Sequence, residues 1–74
     1  MQTEFDRDVT KTYPVADFIA KLRRLADALE TGTAFEIQVQ SERIYIPKHA
    51  KCSIEHERHE SSEELEFQIT WTRD

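Results

Sequence analysis

One stretch of this chain has a clear period, and that period limits the folds that the chain can adopt. Over residues 15–29, apolar side chains recur every three or four positions, and charged side chains fill most of the remaining positions. This pattern is typical of an α-helix with one apolar stripe. The stripe consists of Val15, Phe18, Ile19, Leu22, Leu25, Ala26 and Leu29. Because an isolated helix of this length is marginal in water, we expect the stripe to pack on other apolar residues.

The residues at both ends of this stretch are suited to helix termini. Pro14 is tolerated in a first turn, where its missing N–H would have no partner. Thr12 is the chemically better N-cap, whereas Tyr13 is the N-cap if Pro14 is the first helical residue, and both alternatives stay open. Gly32, the only glycine in the chain, lies where a helix commonly ends in a left-handed residue.

Three segments after the helix alternate between apolar and polar residues, as half-buried strands do. Residues 35–39 present Phe35, Ile37 and Val39 to one side. Residues 43–47 return after a short turn and should stop at Pro47, which cannot donate a ladder hydrogen bond. The clearest alternation is the last one, which places Leu65, Phe67, Ile69 and Trp71 on one side.

Two further segments are predicted as strands on weaker patterns. Residues 3–12 are heavily charged, with Phe5 and Val9 on one side, as in an edge strand protected against aggregation. Residues 48–60 place Cys52 and Ile54 on one side. A helix is the alternative for this segment, but Ile54 is its only sizeable apolar side chain, so a helix would have little to bury. We therefore favour a strand.

These elements predict a single α+β domain over residues 1–74 with the order β-α-β-β-β-β. A fully antiparallel five-stranded sheet with strand order 2-3-4-5-1 would carry the helix on one face. The helix would cover the side formed by Leu65, Phe67, Ile69 and Trp71, together with residues of the second and third strands. The opposite face would be polar around Tyr45, as antiparallel sheets allow.

Two stretches of the chain resemble the amphi-Trp domain family. Residues 22–32, LRRLADALETG, are similar to the end of that family's helix, and residues 64–71, ELEFQITW, to its closing amphipathic strand, with Trp71 at the position of the namesake tryptophan. The order of elements agrees over nearly the whole chain. The resemblance implies a small prokaryotic domain without an established activity, so it supplies no catalytic residue. The chain departs from the family pattern where His49, Cys52, His56 and His59 occur.

Composition excludes several classes of protein. The net charge of −5 argues against a general nucleic-acid binder, unless Lys21, Arg23, Arg24, Arg43 and Lys48 converge on one surface. A single cysteine excludes a disulfide framework. The chain has no apolar run of the roughly 20 residues that a membrane span needs, and its N-terminus does not resemble a signal sequence. We therefore expect a cytoplasmic protein.

The sharpest candidate site is a zinc-type metal site formed by His49, Cys52, His56 and His59, since imidazole and thiolate are zinc ligands. On a helix, all four would share one face. On the favoured strand, His49 and His56 would lie roughly 23 Å apart, and His59 would point away from His56. A nucleophilic pair of Cys52 and His56 would be separated by about 13 Å, and an inward-facing Cys52 should be buried and inert.

The remaining candidates have simpler interpretations. The glutamates around the last turn, Glu55, Glu57, Glu60, Glu63, Glu64 and Glu66, should form a solvated acidic tip that could attract a basic partner. Trp71 could stack on a base or sugar, but its alternation favours a core position. The sequence thus predicts no catalytic, cofactor-binding or metal-binding residue and no enzyme. It predicts an interaction or accessory domain that self-associates, as a dimer for instance, through a sheet edge or the polar sheet face; another protein partner or metal binding is the alternative.

Overall fold

The computed structural model describes residues 6–73. They form one helix, α1 (Val15–Thr31), and four strands, β1 (Phe35–Val39), β2 (Glu42–Ile46), β3 (Lys51–His59) and β4 (Ser62–Thr70). Within this described part, β1 pairs with β2 and β3 pairs with β4, both antiparallel, as two separate two-stranded sheets. The α+β class is therefore confirmed. The five-stranded sheet with the order β-α-β-β-β-β is wrong, and so is the strand order 2-3-4-5-1.

Helix α1 covers the predicted stretch and continues two residues further, to Thr31. Pro14 is the N-cap, with no side-chain hydrogen bond to the first turn, so neither Thr12 nor Tyr13 caps the helix. Gly32 ends it in the left-handed conformation with φ of 71°, and the amide of Thr33 donates to the carbonyl of Ala28 at 3.0 Å. The predicted helix end is confirmed.

The first hairpin, β1–β2, pairs Phe35 with Ile46 and Ile37 with Ile44, so these four side chains share one face. Helix α1 lies against β1 and contacts no other strand of the described residues. Phe35 and Ala28 are the buried apolar residues of that part of the chain. The core is therefore a small contact between α1 and the first hairpin.

Residues 6–14 form no strand, whereas residues 3–5 of the predicted first strand lie outside the described residues. The segment is held by side chains instead of a backbone ladder. The Arg7 guanidinium donates to the carbonyls of Val39 at 2.6 Å and Gln40 at 3.0 Å, and the Gln40 amide donates to the Thr10 carbonyl at 3.1 Å. Since residues 6–12 offer no strand, the predicted pairing of the first and last strands is wrong.

The second hairpin, β3–β4, confirms that residues 51–59 form a strand and not a helix. It contacts neither α1 nor the first hairpin along their described lengths. The prediction that the helix packs on Leu65, Phe67, Ile69 and Trp71 is therefore wrong. The break lies at residues 47–50, where Pro47 ends the β2 ladder and the Ala50 amide turns back to the Pro47 carbonyl at 3.3 Å. Trp71 follows β4, outside the strand, and is half-buried.

Candidate interaction site

The apolar stripe of α1 is only partly covered by the first hairpin. Leu25 and Ala28 turn toward β1, but most of the large apolar side chains of the stripe stay exposed to solvent. We call this exposed set the helix face; it consists of Val15, Phe18, Ile19, Leu22 and Leu29. Phe18, the largest of these side chains, keeps 53% of its surface exposed. A stripe of this kind gains stability only when it is covered.

A shallow apolar groove lies beside the helix face, between α1 and β1. It has a volume of about 210 Å³. Its apolar lining comes from Phe18, Leu22, Leu25, Phe35 and Ile37. The ammonium of Lys21 lies over the ring of Tyr13, 4.6 Å from its centroid, at the edge of this groove. The groove extends the helix face toward the first hairpin.

The second hairpin has an uncovered apolar face of its own. The register places Ile54 opposite Phe67, Cys52 opposite Ile69 and His56 opposite Leu65 on one side of the ribbon. We call the apolar members of this side the hairpin face; they are Cys52, Ile54, Leu65, Phe67 and Ile69. Phe67 is 66% exposed. Cys52 is exposed as well, so the prediction that it is a buried core residue is wrong. Cys52 shares a side of β3 with Ile54, as predicted, but that side is mostly exposed, and Ile69 is its half-buried apolar residue.

A second groove carries positive charge and adjoins the apolar groove, with which it shares Lys11, Tyr13, Lys21 and Ile37. It has a volume of about 510 Å³ and is lined by Lys11, Lys21, Arg24 and Arg43 around one carboxylate, Glu36. We call it the basic groove. Arg43 bonds the Glu36 carboxylate at 2.6 Å, and Arg24 donates to the Glu36 carbonyl at 3.0 Å. Three of the five cations that nucleic-acid binding would require thus converge, whereas Arg23 and Lys48 are not part of the lining.

The polar face of the second hairpin concentrates negative charge. Carboxylate oxygens of Glu57, Glu64 and Glu66 all lie within 4.8 Å of one another. A hydrogen bond to the Glu66 carboxylate raises the pKa of Glu64, and the negative charges of Glu66, Glu57 and Glu55 raise this pKa further. The Gln68 amide donates to Glu55 at 2.7 Å and to Glu66 at 3.1 Å. Glu57 and Glu64 are exposed and Glu66 is half-buried, and acids at this range are common without a metal ion, so they are not evidence of a metal site.

The structure does not bring the four candidate metal ligands together. His49 lies in the connection between the hairpins, and Cys52, His56 and His59 are spread along β3. His56 and His59 are an odd number of residues apart on a strand, so they face opposite sides. The imidazole of His56 instead contacts the carboxylate of Glu63 at 2.8 Å, which also accepts from Arg58 at 3.2 Å. Among the described residues, no group of three metal-type ligands includes a histidine or the cysteine.

Sequence reasoning identified the apolar positions but missed that they form the candidate site. The helix and hairpin faces were both assigned to one internal core. No signal in the sequence marks their exposure, because helical periodicity and strand alternation show that a residue has an apolar side and not what covers that side.

Comparisons with family models, with curated proteins and with solved structures find no match for the chain. The similarity to the amphi-Trp family therefore stays a prediction. No helix in the described part of the chain has the length and hydropathy needed to cross a membrane.

Proposed function

We propose that this chain is a small, non-enzymatic interaction domain that works by self-association. The proposal is supported by two uncovered apolar faces, the helix face and the hairpin face, in a chain whose described residues bury little. It agrees with the sequence-based expectation that a domain of 74 residues gains stability from a partner.

The accessible surface carries this proposal. The chain exposes 6848 Å², whereas a compact folded monomer of 8.8 kDa should expose about 4,800 Å². The excess is roughly 2,000 Å² per chain, so two chains that covered it would bury about 4,000 Å² together, which lies in the range of obligate homodimers. The excess accessible surface of each chain is therefore as large as the surface that one subunit buries in an obligate homodimer.

Self-association through the two apolar faces accounts for the excess of accessible surface better than self-association through a sheet edge or through the polar face around Tyr45. Side chains already occupy part of the β1 backbone, since Arg24 and Arg7 donate to the carbonyls of Glu36 and Val39. The polar face next to Tyr45 carries the internal ion pair of Glu36 and Arg43. Neither surface removes much apolar area from water, which is the dominant favourable term in most associations.

Metal binding has no comparable support, because the histidines and the cysteine do not converge. A second class of function would be anion binding in the basic groove. Two of its cations, however, already bond Glu36, and the whole chain carries a net charge of −5.

Light scattering coupled to size exclusion tests the proposal. The expected result is a mass of about twice 8.8 kDa over a dilution series from the high to the low micromolar range. A constant monomer mass up to high micromolar concentration would remove self-association. Addition of excess Zn²⁺ with no change in mass or melting temperature would separate this function from metal binding.

A further inference from the structure

The hairpin face is shorter than the helix face and would cover its central part. Helix α1 has 17 residues, so it extends along about 25 Å. The hairpin face occupies five paired positions, 52–56 on β3 and 65–69 on β4, so it extends along about 16 Å. A two-stranded ribbon with strands about 4.8 Å apart is close to the width of one helix. One hairpin face can therefore cover about three turns of the helix face of another chain.

Within one chain the two faces do not meet. Helix α1 contacts β1 alone among the described strands, and the β3–β4 hairpin contacts none of α1, β1 and β2 in the part of the chain that the structure describes. Residues 47–50 separate the two halves with a proline and a turn closed by the Ala50 amide. An intermolecular contact can join the faces without changing this connection.

We propose that the partner is a second copy of the chain, and that each copy lays its hairpin face on the helix face of the other. This assignment rests on the proposed self-association and adds which surfaces meet. Because each copy has one face of each kind, a twofold axis produces two identical contacts and gives every face a partner. Two such contacts also account for the large excess of accessible surface per chain.

Charge favours the same pairing. Residues 51–70 contain two basic residues and six glutamates, so the second hairpin carries a net charge of −4. The basic groove next to the helix face is lined by four cations and one carboxylate. Glu55, Glu57, Glu64 and Glu66 lie on the polar face, which points away from the contact. The attraction between the acidic hairpin and the basic groove therefore acts over a distance and speeds association.

A mixing experiment tests the exchange. Phe18→Glu damages the helix face and Phe67→Lys damages the hairpin face, so each variant alone has two damaged contacts. We expect each variant to dimerise at least tenfold more weakly than the wild type. A one-to-one mixture should recover the dimer, because one of its contacts is wild type and the other brings the introduced carboxylate toward the introduced ammonium.

Tyr45→Lys is the matched control for the mixing experiment. Tyr45 is 62% exposed, which is close to the 66% of Phe67, but it lies on the polar face of the first hairpin. This variant should dimerise like the wild type. If Tyr45→Lys dissociates the dimer and Phe67→Lys does not, the interface lies elsewhere and the face assignment is overturned.

Cys52 gives a test that does not depend on the folding of any core variant. It belongs to the hairpin face and is the only cysteine of the chain. In the wild-type dimer, alkylation of Cys52 by a maleimide should be at least tenfold slower than that of an unprotected thiol. The control carries Cys52→Ser with Ser53→Cys, which moves the thiol to the polar face, and it should react at the unprotected rate.

The outcomes separate the two proposals. A stable dimer with a freely reactive Cys52, or variants that dimerise normally, overturns the face assignment and leaves self-association intact. A mixture that fails to recover the dimer overturns the exchange. A wild-type monomer overturns both proposals, and slow alkylation of Cys52 in that monomer would show that the hairpin covers its own helix.

Discussion

The contact between α1 and β1 should depend on Phe35 more than on any other described side chain. Phe35 is 7% exposed, and the guanidinium of Arg24 lies over its ring, 5.2 Å from the centroid. Truncation of a buried Phe to Ala costs about 3–5 kcal/mol, and the lost cation–π contact adds about 0.5–1 kcal/mol at an exposed site. A chain of 74 residues has roughly 4–11 kcal/mol of total stability. Phe35→Ala should therefore remove a large part of it, about 3 kcal/mol or more.

Urea unfolding at fixed protein concentration measures this loss, with far-UV circular dichroism and the fluorescence of Trp71 as two probes. Tyr45→Ala is the matched control, because Tyr45 is an exposed aromatic on the opposite face, and it should cost under about 1 kcal/mol. If Phe35→Ala costs as little as Tyr45→Ala, Phe35 is not the centre of the core. If the Trp71 transition does not move, the second hairpin unfolds independently of α1, and the proposed exchange between copies is wrong.

Three further changes have expected outcomes in thermal unfolding. Gly32→Ala should cost about 1 kcal/mol, because φ is 71° and an added Cβ would meet nothing within 4 Å, so the cost is conformational. Ser41→Gly should stabilise the chain by up to about 1 kcal/mol, since Ser41 also has φ of 71° in a two-residue hairpin turn. Glu64→Gln should raise the melting temperature at pH 7 and flatten its pH dependence. The raised pKa of Glu64 means that the folded state binds more protons, so wild-type stability falls as pH rises above the ordinary value of 4.5.

Each of these changes has a control within the chain. Gly32→Asn should cost less than Gly32→Ala, because Asn tolerates the left-handed region, and equal losses would contradict the conformational explanation. Ser62→Gly, in strand β4, should destabilise where Ser41→Gly stabilises. Glu60→Gln removes the same charge at the hairpin tip; a pH profile identical to that of Glu64→Gln would show that net charge, and not the cluster with Glu66, is responsible.

Local patterns in the sequence predicted the helix and both hairpins. The helix follows from its stripe and from Gly32, and the last strands follow from their alternation, because these are signals between near neighbours. The turn after the first strand was predicted at residues 40–42, and the structure places it at Gln40 and Ser41, between β1 and β2. Both residues have positive φ, where Asn and Gly are usual, so their types give no signal for this turn.

The joining of these elements could not be predicted in the same way. A five-stranded sheet requires pairing between distant segments, and alternation reports only that a residue has an apolar side, not what covers it. The first segment shows the difference, because Arg7 ties it to β1 through its side chain while its backbone forms no ladder. The strand predicted for His56 and His59 is confirmed as part of β3, and strand geometry places their side chains on opposite faces.

Isotope-filtered NMR on a mixture of labelled and unlabelled copies tests the central claim most directly. It detects only contacts between different chains. The account predicts intermolecular cross-peaks between side chains of the hairpin face, Leu65 and Phe67, and side chains of the helix face, Ile19 and Leu22. The absence of such cross-peaks in a sample of confirmed dimer, or cross-peaks centred instead on Tyr45, would contradict it.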